Sequence, residues 1–232
     1  GGDEWDKASS IQQTSDGGYI VAGDSFSTNG NVTGNHGLTD YWIVKLTSTG
    51  TIVWQKSFGG LYGEYARSIQ QTADGGYIVS GSGDSLDGDV IGNHGLSDYW
   101  IVKISSTGLL EWQKSLGGSK YDICYSIQQT NDGGYIVAGD SASTNGDVTG
   151  NNGNNDYWIV KLTSTGSIAW QKSLGGSSYD LGRSIKQTTD GGYIVAGYSY
   201  SNDGDVTGNH GLIDYWIVKL SSFLGVNSFI NN

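Results

Sequence analysis

Proline and methionine are absent from this 232-residue sequence, and cysteine occurs once. Cations are scarce as well: 12 Lys and Arg stand against 23 Asp and Glu, a formal net charge of −11. One cysteine excludes an internal disulfide framework, so disulfides report nothing about the compartment. The shortage of positive charge argues against nucleic acid and anionic membrane surfaces as partners, because phosphate binding needs clustered cations. No apolar run approaches the roughly 20 residues of a membrane span, so no membrane insertion is expected. No secretory leader is visible. The 3.6-residue period of an amphipathic helix is also missing. Glycine, by contrast, is abundant: 39 residues, well above the usual share of about 7%.

The chain is one unit written four times. Ser-Ile-Gln-Gln-Thr surrounds Ile11, Ile69 and Ile127, and Ser-Ile-Lys-Gln-Thr surrounds Ile185. The repeats run 1–58, 59–116, 117–174 and 175–232. A fixed period of this length marks a supersecondary unit that cannot bury its apolar face alone, so neighbouring units must stack. The expectation is one continuous domain over 1–232.

The second repeat shows the elements. Ser68 to Thr72 is short and β-compatible, and Asp74-Gly75-Gly76 is a tight-turn signal. Tyr77 to Ser80 and Tyr99 to Ile104 are continuous apolar runs, as in strands buried on both faces. A Gly/Asp/Asn loop separates them, and Ser106-Thr107-Gly108 turns into a fourth strand carrying Trp112. Two hairpins joined by a long loop give a four-stranded antiparallel blade. The predicted fold is therefore all-β: a β-propeller of four such blades, closed alone or forming part of a larger ring. The first strand, with Gln12-Gln13 and its equivalents, is the most polar and is expected innermost. The sets Trp42, Trp100, Trp158, Trp216 and Trp54, Trp112, Trp170 read as core. Cys124, in the column of Ala8, Ala66 and Gly182, reads as a small buried side chain. Repeat four departs after Ser221 and has no Trp in its last strand.

Candidate binding residues gather on the face made by the long loop and the Gly-Gly loop, since loops on a rigid scaffold carry most sites. His36, His94 and His210 share one column, and Asn35, Asn93 and Asn209 precede them. Trp5, Tyr121 and Tyr179 share another. Asp87 with Asp89, and Asp203 with Asp205, offer paired carboxylates around a glycine, which suits a hard cation such as Ca²⁺. The competing reading is a series of Asx-turns that fold the loop. No cofactor is required by either.

The repeat resembles the bacterial extracellular β-propeller repeat often called SBBP. The matching frame is Gly117-Gly118, Asp122, Ser126-Ile127, Asp132 to Gly139, Asp156 to Leu162, Gly166, Trp170 and Gly175-Gly176. The wording is also similar to Bacteroidetes surface proteins that carry a separate C-terminal sorting domain. Leu224-Gly225-Val226-Asn227 is similar to the junction before such a domain. The resemblance implies a secreted or cell-surface bacterial protein.

A single active site needs residues that break the fourfold repetition. The breaks are Cys124, Asn152, Tyr198, Lys186 and Trp5, and they supply neither a nucleophile with its base nor a unique carboxylate pair. The expectation is a non-catalytic binding or adhesion module, with extracellular glycans or surface proteins as partners and self-association as a further option. The alternatives are a scaffold, spacer or filament subunit, and a glycan-degrading propeller enzyme.

Overall fold

The computed structural model describes residues 1–222 and the strand backbone of 226–230. Four antiparallel sheets follow one another, and the described residues contain no helix. The first sheet orders β1 (Asp6–Gln13), β2 (Tyr19–Ser25), β3 (Asp40–Leu46) and β4 (Ile52–Phe58). The second is β5 (Glu64–Gln71), β6 (Tyr77–Gly83), β7 (Asp98–Ile104) and β8 (Leu110–Leu116). The third is β9 (Asp122–Gln129), β10 (Tyr135–Ser141), β11 (Asp156–Leu162) and β12 (Ile168–Leu174). The fourth is β13 (Asp180–Gln187), β14 (Tyr193–Ser199), β15 (Asp214–Leu220) and β16 (Val226–Ile230). Each sheet is one blade and coincides with one repeat.

The end of repeat four, where the sequence departs from the other copies, does contain a strand. β16 pairs antiparallel with β15, from Ile217 opposite Ile230 to Leu220 opposite Val226. Residues 223–225 and 231–232, and with them Leu224-Gly225 of the junction resemblance, lie outside the described residues.

The chain divides into two compact units, Gly1–Leu116 and Gly117–Asn232, at a repeat boundary. Unit 1 holds blades 1 and 2. Its core joins Ile20, Ala22, Tyr41 and Ile43 of blade 1 to Ala66, Tyr77, Val79 and Trp100 of blade 2. Unit 2 repeats the arrangement, joining Ile136, Ala138, Tyr157 and Ile159 to Ile185, Tyr193, Val195 and Trp216. Trp54 and Trp170 pack edge-on against Tyr77 and Tyr193 of the next blade, at 5.9 and 5.7 Å. Within each unit the polar first strands meet. Ser10 Oγ and Gln12 Oε1 accept from the Ile69 and Gln71 N–H groups, at 3.2 and 2.6 Å. Ser126 and Gln128 do the same for Ile185 and Gln187. The glutamine columns thus serve as interblade acceptors for main-chain donors.

The third strand carries a lysine in each blade, buried in blades 1 to 3 and half-buried in blade 4, which the apolar run alone does not explain. Lys45, Lys103, Lys161 and Lys219 reach the Asp of the Asp-Gly-Gly turn, at 2.8–3.0 Å from Asp16, Asp74, Asp132 and Asp190. A paired ammonium on a long apolar stem can be buried where a lone one cannot. Cys124 is fully buried, as its column suggested.

Candidate binding face

The long loop has to run beside the Gly-Gly loop of its own blade, and glycine makes the approach feasible. Gly30, Gly88, Gly146 and Gly204 hold φ between 62 and 67°. A Cβ at Gly88 would stand 2.3 Å from the Gly59 carbonyl oxygen. Only glycine takes this left-handed conformation freely and leaves room for that carbonyl. Val32, Val90, Val148 and Val206 anchor the loop from beneath and are buried. The loop's polar composition hid that anchor, although an invariant Val in a Gly/Asn/Asp loop is the signal that marks it.

A carboxylate fixes the Gly-Gly loop in every blade. Asp122 accepts from the Gly118 N–H at 2.8 Å, from Ser143 Oγ at 2.8 Å and from Ser141 Oγ. Asp180 accepts from Gly176, Ser201 and Ser199, and Asp6 from Gly2, Ser27 and Ser25. Blade 2 substitutes twice at once. Glu64 replaces the aspartate, and Gly83 stands where Ser25, Ser141 and Ser199 stand. A Cβ at Gly83 would lie 3.5 Å from the Glu64 Cγ, so the longer acid occupies the space the serine vacates.

The residues expected to hold Ca²⁺ are engaged in the same frame. Asp87 and Asp203 accept from the Leu61 and Ser177 N–H groups, at 2.9 and 2.7 Å. Asn29 and Asn145 take the same bond in blades 1 and 3, at 3.0 and 2.9 Å. A neutral amide oxygen thus does this job as well as a carboxylate. Asp89 and Asp205 accept from Gly59 and Gly175, at 3.3 and 3.2 Å. Among the described residues, no three His, Cys, Asp or Glu side chains gather as a metal-holding group.

The asparagine column is also used within the loop. Asn35, Asn93 and Asn209 donate to the carbonyl oxygens of Ser25, Gly83 and Ser199, and accept from Gly37, Gly95 and Gly211. His36 and His94 place Nδ1 2.6 and 2.7 Å from Asp40 and Asp98, while His210 stands 3.5 Å from Asp214. The histidines are spread over the blades and keep one ring edge toward solvent. In blade 3 Asn152 supplies only its N–H to Asp156, at 2.8 Å. Burial, relieved by that one bond and reinforced by Asp180 and Asp205, pushes the Asp156 carboxyl up to about 7.

The remaining candidate columns sit on a main-chain joint within each blade. Trp5, Gly63, Tyr121 and Tyr179 each accept, through the main-chain oxygen, from Phe26, Asp84, Ala142 and Tyr200, at 2.9–3.0 Å. The backbone joint is constant while both side chains vary. Trp5 is 82% exposed and meets Phe26 edge-on at 6.5 Å. Tyr179 meets Tyr200 in the same way at 6.2 Å. The partner column of Phe26 and Tyr200 escaped the sequence reading because its variation looks like loop noise until the register is known.

Solved structures share this architecture. A protein of unknown function from Bacteroides caccae matches with a TM-score of 0.53 at 14% identity, over 97% of this chain and 67% of that one. Kuenenia stuttgartiensis hydrazine synthase matches with a TM-score of 0.60 at 12% identity, over 97% and 53%. An α-L-arabinofuranosidase from Lactobacillus brevis matches with a TM-score of 0.53 at 10% identity, over 96% and 71%. What is shared is the fold. The chain is an all-β array of propeller blades, and it spans about half the length of the hydrazine synthase chain. No protein-family model matches the sequence, and no curated protein matches it.

Proposed function

We propose that these propeller blades form a non-catalytic binding module of the bacterial exterior, of the SBBP type, holding saccharides on the long-loop face. One observation carries the reading: a constant frame presents variable, exposed aromatic tips. The loop-fixing acid, the Asx side chain and the main-chain joint recur in every blade. The tips on that joint change from Trp5 with Phe26, to Gly63 with Asp84, to Tyr121 with Ala142, to Tyr179 with Tyr200. A fold that needed those positions would hold them constant, as it holds the frame.

The chemistry suits a sugar. Aromatic rings offer a flat apolar surface to the C–H face of a pyranose, and the neighbouring amides and carboxylates offer bonds to hydroxyls. Several weak sites on one chain gain avidity without new contacts.

A glycan array probed with the wild-type chain and with Trp5→Ala tests the proposal. Binding to a defined class of saccharide, weakened by Trp5→Ala with an unchanged melting temperature, supports it. Silence across all glycans transfers the chain to the scaffold or spacer reading, which the bonds of Asn35, Asn93 and Asn209 to their own loops favour. Turnover of an arrayed glycan would support the enzyme reading instead. The Ca²⁺ expectation at Asp87, Asp89, Asp203 and Asp205 has its own test. Heat and a thermal upshift in millimolar Ca²⁺ support it, and neither signal leaves these side chains as loop ties.

A further inference from the structure

Blades 1 and 2 of unit 1 enclose a pocket of about 380 Å³ among their hairpin turns, at the strand ends opposite the long loops. Two kinds of surface meet there. Val53 and Trp54 of β4 make an apolar wall, backed by the buried Tyr77 of blade 2. The polar side comes from the turns: Ser15 and Asp16 of blade 1, Ser106 and Thr107 of blade 2. Lys45 and Gln71 complete it.

The wall is fixed within the fold. Trp54 Nε1 donates to the Ser106 carbonyl at 3.3 Å. Gly108, at φ 78°, brings the turn onto the indole, and a Cβ there would lie 3.1 Å from the ring. Trp54 nevertheless stays only partly buried. The polar side is tied as well. Gln71 Oε1 accepts from the Ser15 N–H at 2.8 Å, which leaves its amide N–H groups as donors. Asp16 pairs with Lys45 at 3.0 Å, and its side chain is 64% exposed. Hydrogen bonds from Thr14 and Lys45 hold its carboxyl well below the usual range, so it stays an ionised acceptor. Blade 2 shows what sets this pocket apart. Glu111 holds the column of Val53 there, and it bonds Lys103 at 2.9 Å in addition to Asp74. Val53 leaves Lys45 with one carboxylate and places an exposed apolar side chain beside the indole. The charges of Lys45 and Asp16 offset each other, which favours an uncharged ligand.

We propose that this pocket is a second saccharide site. It takes one neutral sugar ring, with the C–H face on Val53 and Trp54 and the hydroxyls on Asp16, Gln71 and Thr107. An aromatic wall facing a few convergent polar groups is the arrangement such a ring needs. The volume lies near the lower end of the roughly 300–1,000 Å³ of small-molecule sites, which suits a single ring better than a long chain. Unit 2 carries the same chemistry. Trp170 packs on Tyr193 at 5.7 Å, Asp132 pairs with Lys161 at 2.9 Å, and Gln187 accepts from Asn131 at 2.9 Å. The length of a strand, about 20 Å, separates this pocket from the loop face, so the two sites stand or fall independently.

NMR titration of the isotope-labelled chain with the methyl glycosides of glucose, galactose, mannose and N-acetylglucosamine tests the proposal. The readout is the indole N–H signal of Trp54. At least one sugar is expected to move it saturably below about 50 mM, a range that covers millimolar affinity. Val53→Glu rebuilds the Glu111 arrangement, with which blade 2 already folds, and should weaken that binding about tenfold or more. Thr107→Trp sets a ring into the pocket from an exposed turn and should do the same. Both variants should keep the wild-type melting temperature. Trp5→Ala should leave the Trp54 response intact, which separates this site from the loop face. A Trp54 signal that no sugar of the panel moves overturns the proposal. So does a response that either folded variant retains at full affinity, or one that Trp5→Ala abolishes.

Discussion

Replacing Trp100 by Ala tests how far the repeat is stabilised by packing one blade on the next. Trp100 is fully buried: the Tyr41 ring lies 4.5 Å away, and its Nε1 donates to Gln113 at 2.9 Å. A Trp side chain buries about 150–250 Å², which at about 25 cal/mol per Å² corresponds to about 4–6 kcal/mol. Measured truncations of core aromatics cluster at about 3–5 kcal/mol, and that is the expected cost. Trp42 provides an internal control. It holds the same column and donates to Gln55 at the same distance of 2.9 Å. It remains partly exposed, whereas Trp100 is fully buried. Trp42→Ala should therefore cost about 1–3 kcal/mol, since less area is lost. Urea unfolding at low protein concentration measures both. Equal losses for Trp100→Ala and Trp42→Ala would refute the claim that blade 1, through Tyr41, supplies most of the burial of Trp100.

The acid frame and the titrating groups give further expectations. Asp180→Ala strands the donors of Gly176, Ser199 and Ser201 in a buried site, and should cost about 2–4 kcal/mol; a change under about 0.5 kcal/mol in denaturant melts would contradict the frame. Burial pushes Asp156 up to about 7, above its ordinary 3.8, so the folded state binds its proton more tightly than the unfolded chain does. Its contribution then falls as pH rises from about 4 to about 7, and Asp156→Asn should flatten that part of the stability profile. Asn152→His restores the second donor seen at His36 and His94, and should lower the Asp156 carboxyl, read by NMR titration. Burial opposes the charge of Asp74 and Asp132, but hydrogen bonds from Thr72 and Lys103, and from Thr130 and Lys161, hold both at about 2. The opposite sign follows: their contribution is present above about pH 4 and is lost as pH falls toward 2.

The period and the turn residues made the strands, the blade and the core tryptophans readable in advance. Asp-Gly-Gly and Ser-Thr-Gly can hardly be anything but turns, and Tyr-Trp-Ile-Val between them can hardly be anything but a buried strand. The buried loop anchors Val32 and Val90 were not readable, since their burial depends on where the Gly-Gly loop returns. The role of Gln12 was not readable either, because its partner is the N–H of Gln71 on the next blade. The His and Asn columns stood out by composition, but composition does not tell whether a side chain faces a ligand or its own backbone. Both ends of Asn93 prove to serve the loop. The Trp5 column was legible as a break in the repeat, whereas its pairing with Phe26 required the register of the joint.

The indole N–H signals of the eight tryptophans, followed by NMR during titration with the best saccharide from the array, test the central claim most directly. The account predicts that the Trp5 signal moves on binding while those of the buried Trp100, Trp158 and Trp216 stay in place. Saturable binding that leaves Trp5 unmoved, or that shifts the buried set instead, would contradict it.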